Sequence, residues 1–307
     1  MIHGMPIDEI LLVIAIASYI IGALALFGFF LSRVPFLRNL GATLAILGAV
    51  AQFAQLVARY EISHIWPLLN LYGSLSLFSA MSVAIFVIFA FRYRLWFAGG
   101  FVLALAAMFL TYGVTWNEGV MPPVPSLQSY WAKVHVPIVV TSYAAFLVSF
   151  VLSALYLVRY YVERRRGAAM MLSASVEPAA AGAAAATATV AGPNDGVSGW
   201  LASLPSLPQL DVLVYRSVAV GLPLLTLGII TGAMWAKEAW GAYWQWDPKE
   251  TAALFSWIIY AAYMHLHTRN HWRGLRTSWV SVIGFISIIF CYLGVNIWIS
   301  GLHSYKV

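Results

Sequence analysis

Residues 240–251 read Trp-Gly-Ala-Tyr-Trp-Gln-Trp-Asp-Pro-Lys-Glu-Thr. Trp240, Tyr243, Trp244 and Trp246 crowd into one short stretch, and on a helix positions 240, 243, 244 and 247 would share a face. Such a cluster fits two chemistries. One is the aromatic belt at a membrane surface. The other is a platform for a large, flat, apolar ligand, with Gly241 permitting close approach and the loop long enough to act as a lid. Asp247, Pro248 and Glu250 have the spacing of a capping box and predict a helix starting at 248.

Seven histidines offer ligand chemistry. His135 precedes Pro137 at the start of one apolar stretch, and His303 follows the end of the last. A neutral imidazole is a good axial ligand to haem iron, and two imidazoles from separate helices can clamp one haem. A porphyrin on the indole cluster with His135 and His303 on its two faces is a coherent site. His265 lies about 21 Å into an apolar stretch by helix rise, and an ionisable group at that depth reads as functional. His267 and His271 stand four apart among arginines and read as an ordinary basic loop. His64 reads as interfacial, and His3 as part of a terminus.

These groups need elements to hold them. Hydrophobic residues make up 62% of the 307 residues and charged residues 9%. That is too little charge to cover a water-facing surface. The stretches are long and continuous, so the expected fold is all-α, a polytopic transmembrane bundle rather than a barrel. Eight candidate spans run at about 10–30, 39–59, 68–90, 95–115, 135–158, 213–236, 251–268 and 278–299. Alternate connections carry Arg33, Arg38, Arg92, Arg94, Arg159, Arg164, Arg165, Arg166, Arg216, Arg269, Arg273 and Arg276. That is twelve of the 17 Lys and Arg residues. Their side is predicted to be cytoplasmic. Both termini and the loop 237–250 then lie outside. The net charge of +6 is an orientation signal and does not point to nucleic acid. The acidic start does not resemble a signal peptide, so the first apolar segment is expected to be a retained span. Cys291 is the sole cysteine, which leaves no thiol pair. Residues 167–210, rich in Ala, Gly and Pro, read as a disordered cytoplasmic linker between five spans (1–166) and three (211–307).

The stretch 240–251 resembles the WWD signature of haem-handling proteins of cytochrome c maturation. Its ending, Trp-Asp-Pro-Lys-Glu-Thr, is similar to the CcsA/ResC family of System II. Pro125-Ser-Leu-Gln-Ser-Tyr-Trp-Ala-Lys-Val-His135-Val and Gly301-Leu-His303-Ser-Tyr305 resemble that family's segments around its two external histidines, and the likeness covers about residues 60–160 and 212–305. The resemblance implies that His135 and His303 are external axial ligands. It makes Trp240, Trp244, Trp246 and Asp247 the haem platform, with Tyr243 among them, and places His265 at a second, inner haem site. It further implies a haem-carrying subunit of a cytochrome c synthase in a bacterial inner membrane. Haem b would be its cargo and the CxxCH motif of an apocytochrome c its acceptor. The sequence has no CcsB/ResB portion, so a separate CcsB/ResB partner is expected to supply the missing inner ligand.

Three other functions are weighed against this one. A CcmC-like haem-delivery protein would have fewer spans. A membrane cytochrome b would need paired intramembrane histidines. A solute transporter would need polar midplane residues, and the spans read as nearly free of them.

Overall fold

The computed structural model describes residues 6–117, 119, 124–176, 201 and 204–299, and every regular element among them is helical. Eight long helices follow one another: α1 (Ile7–Ser32), α2 (Pro35–Ser63), α3 (Leu71–Tyr93), α4 (Gly99–Val114), α5 (Tyr130–Val176), α6 (Leu207–Trp240), α7 (Pro248–His267) and α8 (Leu275–Ile289). α8 continues through a π-turn at Phe290–Gly294 into Val295–Trp298. Seven of these are long and apolar enough to cross a membrane, counting α4 together with the 3-10 turn Trp96–Ala98. α7 has the length for it, with 20 residues. It is less apolar because Lys249 and Glu250 open it and His265 and His267 close it. The expected all-α bundle of spanning helices is therefore found.

The linker boundaries differ from expectation. α5 runs past 166 to Val176, because its Ala- and Met-rich continuation consists of good helix formers. α6 opens at Leu207, where the Ser206 N–H donates to Gln209 Oε1 at 3.1 Å and Pro208 suits a first turn. Most of the remaining segment, residues 177–200, lies outside the described residues.

α5 is the hub of the bundle. It packs most extensively on α6 and also meets α3 and α8. Small residues on α6 set that closeness. A Cβ placed on Gly221 would stand 2.7 Å from Phe146, and one on Gly228 would stand 3.1 Å from Val139. One on Gly232 would stand 2.9 Å from the His135 ring.

The spans are not free of polar groups. α2 turns Gln52, Gln55 and Arg59 to one buried face, at i, i+3 and i+7. The Tyr19 hydroxyl donates to Gln52 Oε1 at 2.6 Å, and Gln52 Nε2 donates to the Ser76 carbonyl at 2.8 Å. Ser76 Oγ donates to Gln55 Oε1 at 3.0 Å. Arg59 pairs with Asp8 at 3.7 Å and donates to Asn117 Oδ1 at 2.9 Å, which ties the start of the next long loop to the bundle. These groups satisfy one another, as buried polar atoms must. They join α1, α2 and α3. Their helical spacing is visible in the sequence, and the expectation of nearly apolar spans overlooked it.

His267 is also misplaced by the sequence reading. It is buried at the end of α7, with Nε2 at 3.0 Å from Asp211 Oδ2 of α6. Its ring stacks on Tyr215 at 4.6 Å and on Tyr263 at 5.8 Å. The other Asp211 oxygen accepts the Gly274 N–H at 3.1 Å. Asp211 lies one turn into α6, at the height where α7 ends, and that juxtaposition of distant segments is what turns the imidazole inward.

Candidate functional site

At the end of the bundle opposite the arginine-rich connections, α5, α6, α7 and α8 line a cavity of about 170 Å³. His135 forms part of one wall. It sits in the second turn of α5, and its Nδ1 lies 2.8 Å from the Gly228 carbonyl oxygen of α6. A carbonyl only accepts, so Nδ1 carries the proton. In the neutral ring the lone pair is then on Nε2, the arrangement found in metal-ligating histidines oriented by a backbone carbonyl. The ring stacks on Trp235 with centroids 5.8 Å apart and planes 27° apart. Gly232 makes room for it, since no Cβ fits there beside the imidazole.

Trp235 is a site residue that the sequence reading missed. It is buried, and its Nε1 donates to the Ser126 carbonyl at 2.8 Å. That bond holds the 3-10 turn Pro125–Gln128 over the cavity. Ser129 adds a second tie, donating to Glu238 Oε2 at 2.7 Å. The available signal was its place one turn and a half before Trp240, on the same apolar stretch.

The aromatic stretch does not form the single helical face expected of positions 240, 243, 244 and 247. α6 stops at Trp240 because Gly241 takes the left-handed conformation (φ 82°), its N–H bonding the Lys237 carbonyl at 3.0 Å. Trp240 packs on Trp235 with centroids 5.0 Å apart. Tyr243 and Trp244 follow in a loop and line the cavity. Trp246 stands edge-on to Trp244 at 5.6 Å and is 68% exposed. Its φ of 57° is rare for a bulky residue. Asp247 and Glu250 make the capping box: Asp247 Oδ1 accepts the Lys249 N–H at 2.9 Å, and Glu250 Oε2 accepts the Asp247 N–H at 3.3 Å. Glu250 Oε2 also accepts the Gln245 N–H at 2.8 Å, which holds the loop against α7. Asp247 thus caps α7 under the loop.

The remaining lining comes from positions with no sequence signal. The π-turn of α8 presents Cys291 and Tyr292 to the cavity, and Tyr143 joins them from α5. Lys249 reaches Asn296 Oδ1 at 2.9 Å. Trp244 Nε1 is buried without an acceptor among the described residues. The site therefore combines aromatic walls, one imidazole aimed by a backbone carbonyl, an ammonium and an indole N–H in need of an acceptor. Its lining is mainly aromatic and apolar, which suits binding and orienting an aromatic ligand.

His303 lies outside the described residues. His265 sits at the opposite end of α7, exposed, its carbonyl accepting from Thr268 Oγ1 at 2.7 Å. Because α7 starts at Pro248, His265 is about 26 Å along the helix rather than about 21 Å. It belongs to the last turn.

Residues 68–303 match the cytochrome C assembly protein family. The chain is similar to cytochrome c biogenesis protein CcsA of Heterosigma akashiwo, with 35% identity over 87% of this chain and 85% of that one. CcsA of Prochlorococcus marinus (strain MIT 9303) is 38% identical over 86% of this chain and 84% of its own. CcsA of Guillardia theta is 31% identical over 96% and 92%. Among solved structures, cytochrome c heme lyase CcmF shares the fold with a TM-score of 0.62 at 15% identity. The match covers 95% of this chain but spans only 47% of that lyase. The family match over most of the chain, on a helical bundle that gathers the aromatic stretch and His135 at one end, shows that this protein belongs to the cytochrome c assembly protein family.

Proposed function

We propose that this protein acts in cytochrome c maturation by carrying haem b to the outer face of a bacterial inner membrane and holding it beneath the loop 241–246 for attachment to an apocytochrome c. The observation that carries this reading is His135. Its Nδ1 is bound to the Gly228 carbonyl at 2.8 Å, an orientation that suits Nε2 to metal binding, and its ring lines the cavity with Trp235 and Trp244. His303 would be the second axial ligand. The Trp244 N–H and the Lys249 ammonium suit the carboxylates of the porphyrin edge, and the indoles suit its face.

Haem is the cargo here, and the protein's own groups position it. Each thiol of the acceptor CxxCH motif would add its S and H across one vinyl group, a step with no net oxidation. No protein nucleophile is needed. The cavity of about 170 Å³ is below the roughly 300–1,000 Å³ of ordinary ligand pockets. Loading therefore requires the loop to lift, with Gly241 and the strained Trp246 as its ends.

His265, exposed in the last turn of α7, supports an inner site completed by a second membrane protein of the CcsB/ResB kind. The test is absorption spectroscopy of the protein purified with that partner. The wild type is expected to carry b-type haem. His303→Ala is expected to alter the spectrum of the outer haem, and His265→Ala to lower total haem only when the partner is present. Wild-type protein free of haem in the presence of its partner would contradict the proposal.

A further inference from the structure

At the arginine-rich end a second cavity, of about 680 Å³, opens between the turn after α3 and the start of α6. It is separate from the aromatic site and falls within the roughly 300–1,000 Å³ range of ligand pockets. One wall is the turn Tyr93–Arg94 with Phe97, and the other is Leu204–Pro205 with Leu213 and Arg216. Arg159 fixes the second wall by donating from Nη1 to the carbonyls of Leu204 and Pro205 at 2.6 and 2.5 Å. The Arg216 guanidinium lies 4.6 Å over the Tyr93 ring, which holds its head at the mouth of the groove. Among the described residues no carboxylate lies within ion-pair distance of Arg94 or Arg216. Two guanidiniums thus line a groove with apolar walls and, among the described residues, have no carboxylate paired to them.

The depth of the groove narrows the choice of occupant. α6 has 34 residues and is about 51 Å long, well over the ~30 Å hydrocarbon core. Gln209, Asp211 and Arg216 make its first turns the polar ones at the arginine-rich end, so part of the excess length projects there. Arg216 lies on that stretch, and Arg94 is the residue that ends α3. Both stand at headgroup height on the side where anionic lipids concentrate. An anionic amphiphile meets every feature: phosphate between the two guanidiniums, which bind it in bidentate fashion, and an acyl chain along Phe97 and Leu213. We propose that this groove binds the headgroup of an anionic phospholipid.

The test is native mass spectrometry of the full-length protein titrated with phosphatidylglycerol and, as the zwitterionic control, phosphatidylcholine. One phosphatidylglycerol is expected to bind in preference to phosphatidylcholine, without competition from millimolar inorganic phosphate. The Arg94→Gln/Arg216→Gln double variant is expected to weaken it about 30-fold, the product of two arginine contributions. Arg38→Gln, on the same face but outside the groove, is expected to leave binding unchanged, and circular dichroism checks that each variant is folded. Equal binding of the two lipids, undiminished binding by the folded double variant, or an equal loss in Arg38→Gln would overturn the assignment. Displacement of the lipid by inorganic phosphate would reassign the groove to a free anion, and displacement by haem would reassign it to a dicarboxylate macrocycle.

Discussion

Gly232→Val is expected to strip the outer site of haem while leaving the bundle folded. A Cβ at position 232 would stand 2.9 Å from His135 Cε1 and 3.0 Å from Nδ1, and valine adds two methyl groups beyond that atom. The ring cannot retreat without cost. Its Nδ1 is bound to the Gly228 carbonyl, and Trp235 covers one face. Something must shift, so the imidazole leaves the orientation that aims Nε2. Overpacking of this kind costs about 1–3 kcal/mol of stability. Loss of a ligand's orienting contact costs on the order of 10–100-fold in metal affinity. Gly221→Val is the matched control. It meets Phe146 at 2.7 Å on the same α5–α6 interface, away from the histidine. Both variants should melt earlier in detergent, and only Gly232→Val should lose haem per mole of protein. Equal haem in the two variants would show that the His135 ring position does not matter for binding.

A comparable effect on stability alone is expected for Asp211→Ala. Asp211 and His267 are both buried, and the carboxylate also accepts the Gly274 N–H that starts the turn into α8. Removing one partner of a buried, hydrogen-bonded pair leaves the other without compensation and typically costs about 3–5 kcal/mol. A double variant, Asp211→Ala with His267→Leu, removes both polar partners and should recover part of the loss. Thermal melts of the three variants measure this. Additive losses would mean that the two side chains do not act as a pair.

Much of this architecture is legible in the sequence because membrane spans and helix caps follow short-range rules. Asp247, Pro248 and Glu250 announce the start of α7, and the capping bonds form there. Continuous apolar stretches announce the eight helices, and alternating arginine clusters announce which helix ends share a side. What is not legible depends on contacts between distant segments. The choice between His265 and His267 is one example. Two residues apart on a helix, they face different ways, and only the position of Asp211 on α6 decides which one is buried. The split of the aromatic stretch is another. A helical reading puts Trp240 and Trp244 on one face, whereas Gly241 ends the helix between them and sends Trp240 to Trp235 and Trp244 to the cavity. The contribution of Cys291 and Tyr292 depends on a π-turn, which has no reliable sequence signature. The buried Gln52, Gln55 and Arg59 did have one, in their shared helical face.

The most direct test is chemical rescue of His135→Gly, purified with its membrane partner and examined by absorption spectroscopy with and without imidazole. Removing the side chain leaves a hole beside Gly232 and Trp235 that a free imidazole can fill. If His135 Nε2 binds the haem iron, haem content falls without imidazole and returns, with a b-type spectrum, when imidazole is added. A folded His135→Gly variant that keeps the wild-type spectrum without imidazole would contradict the assignment of His135 as the ligand.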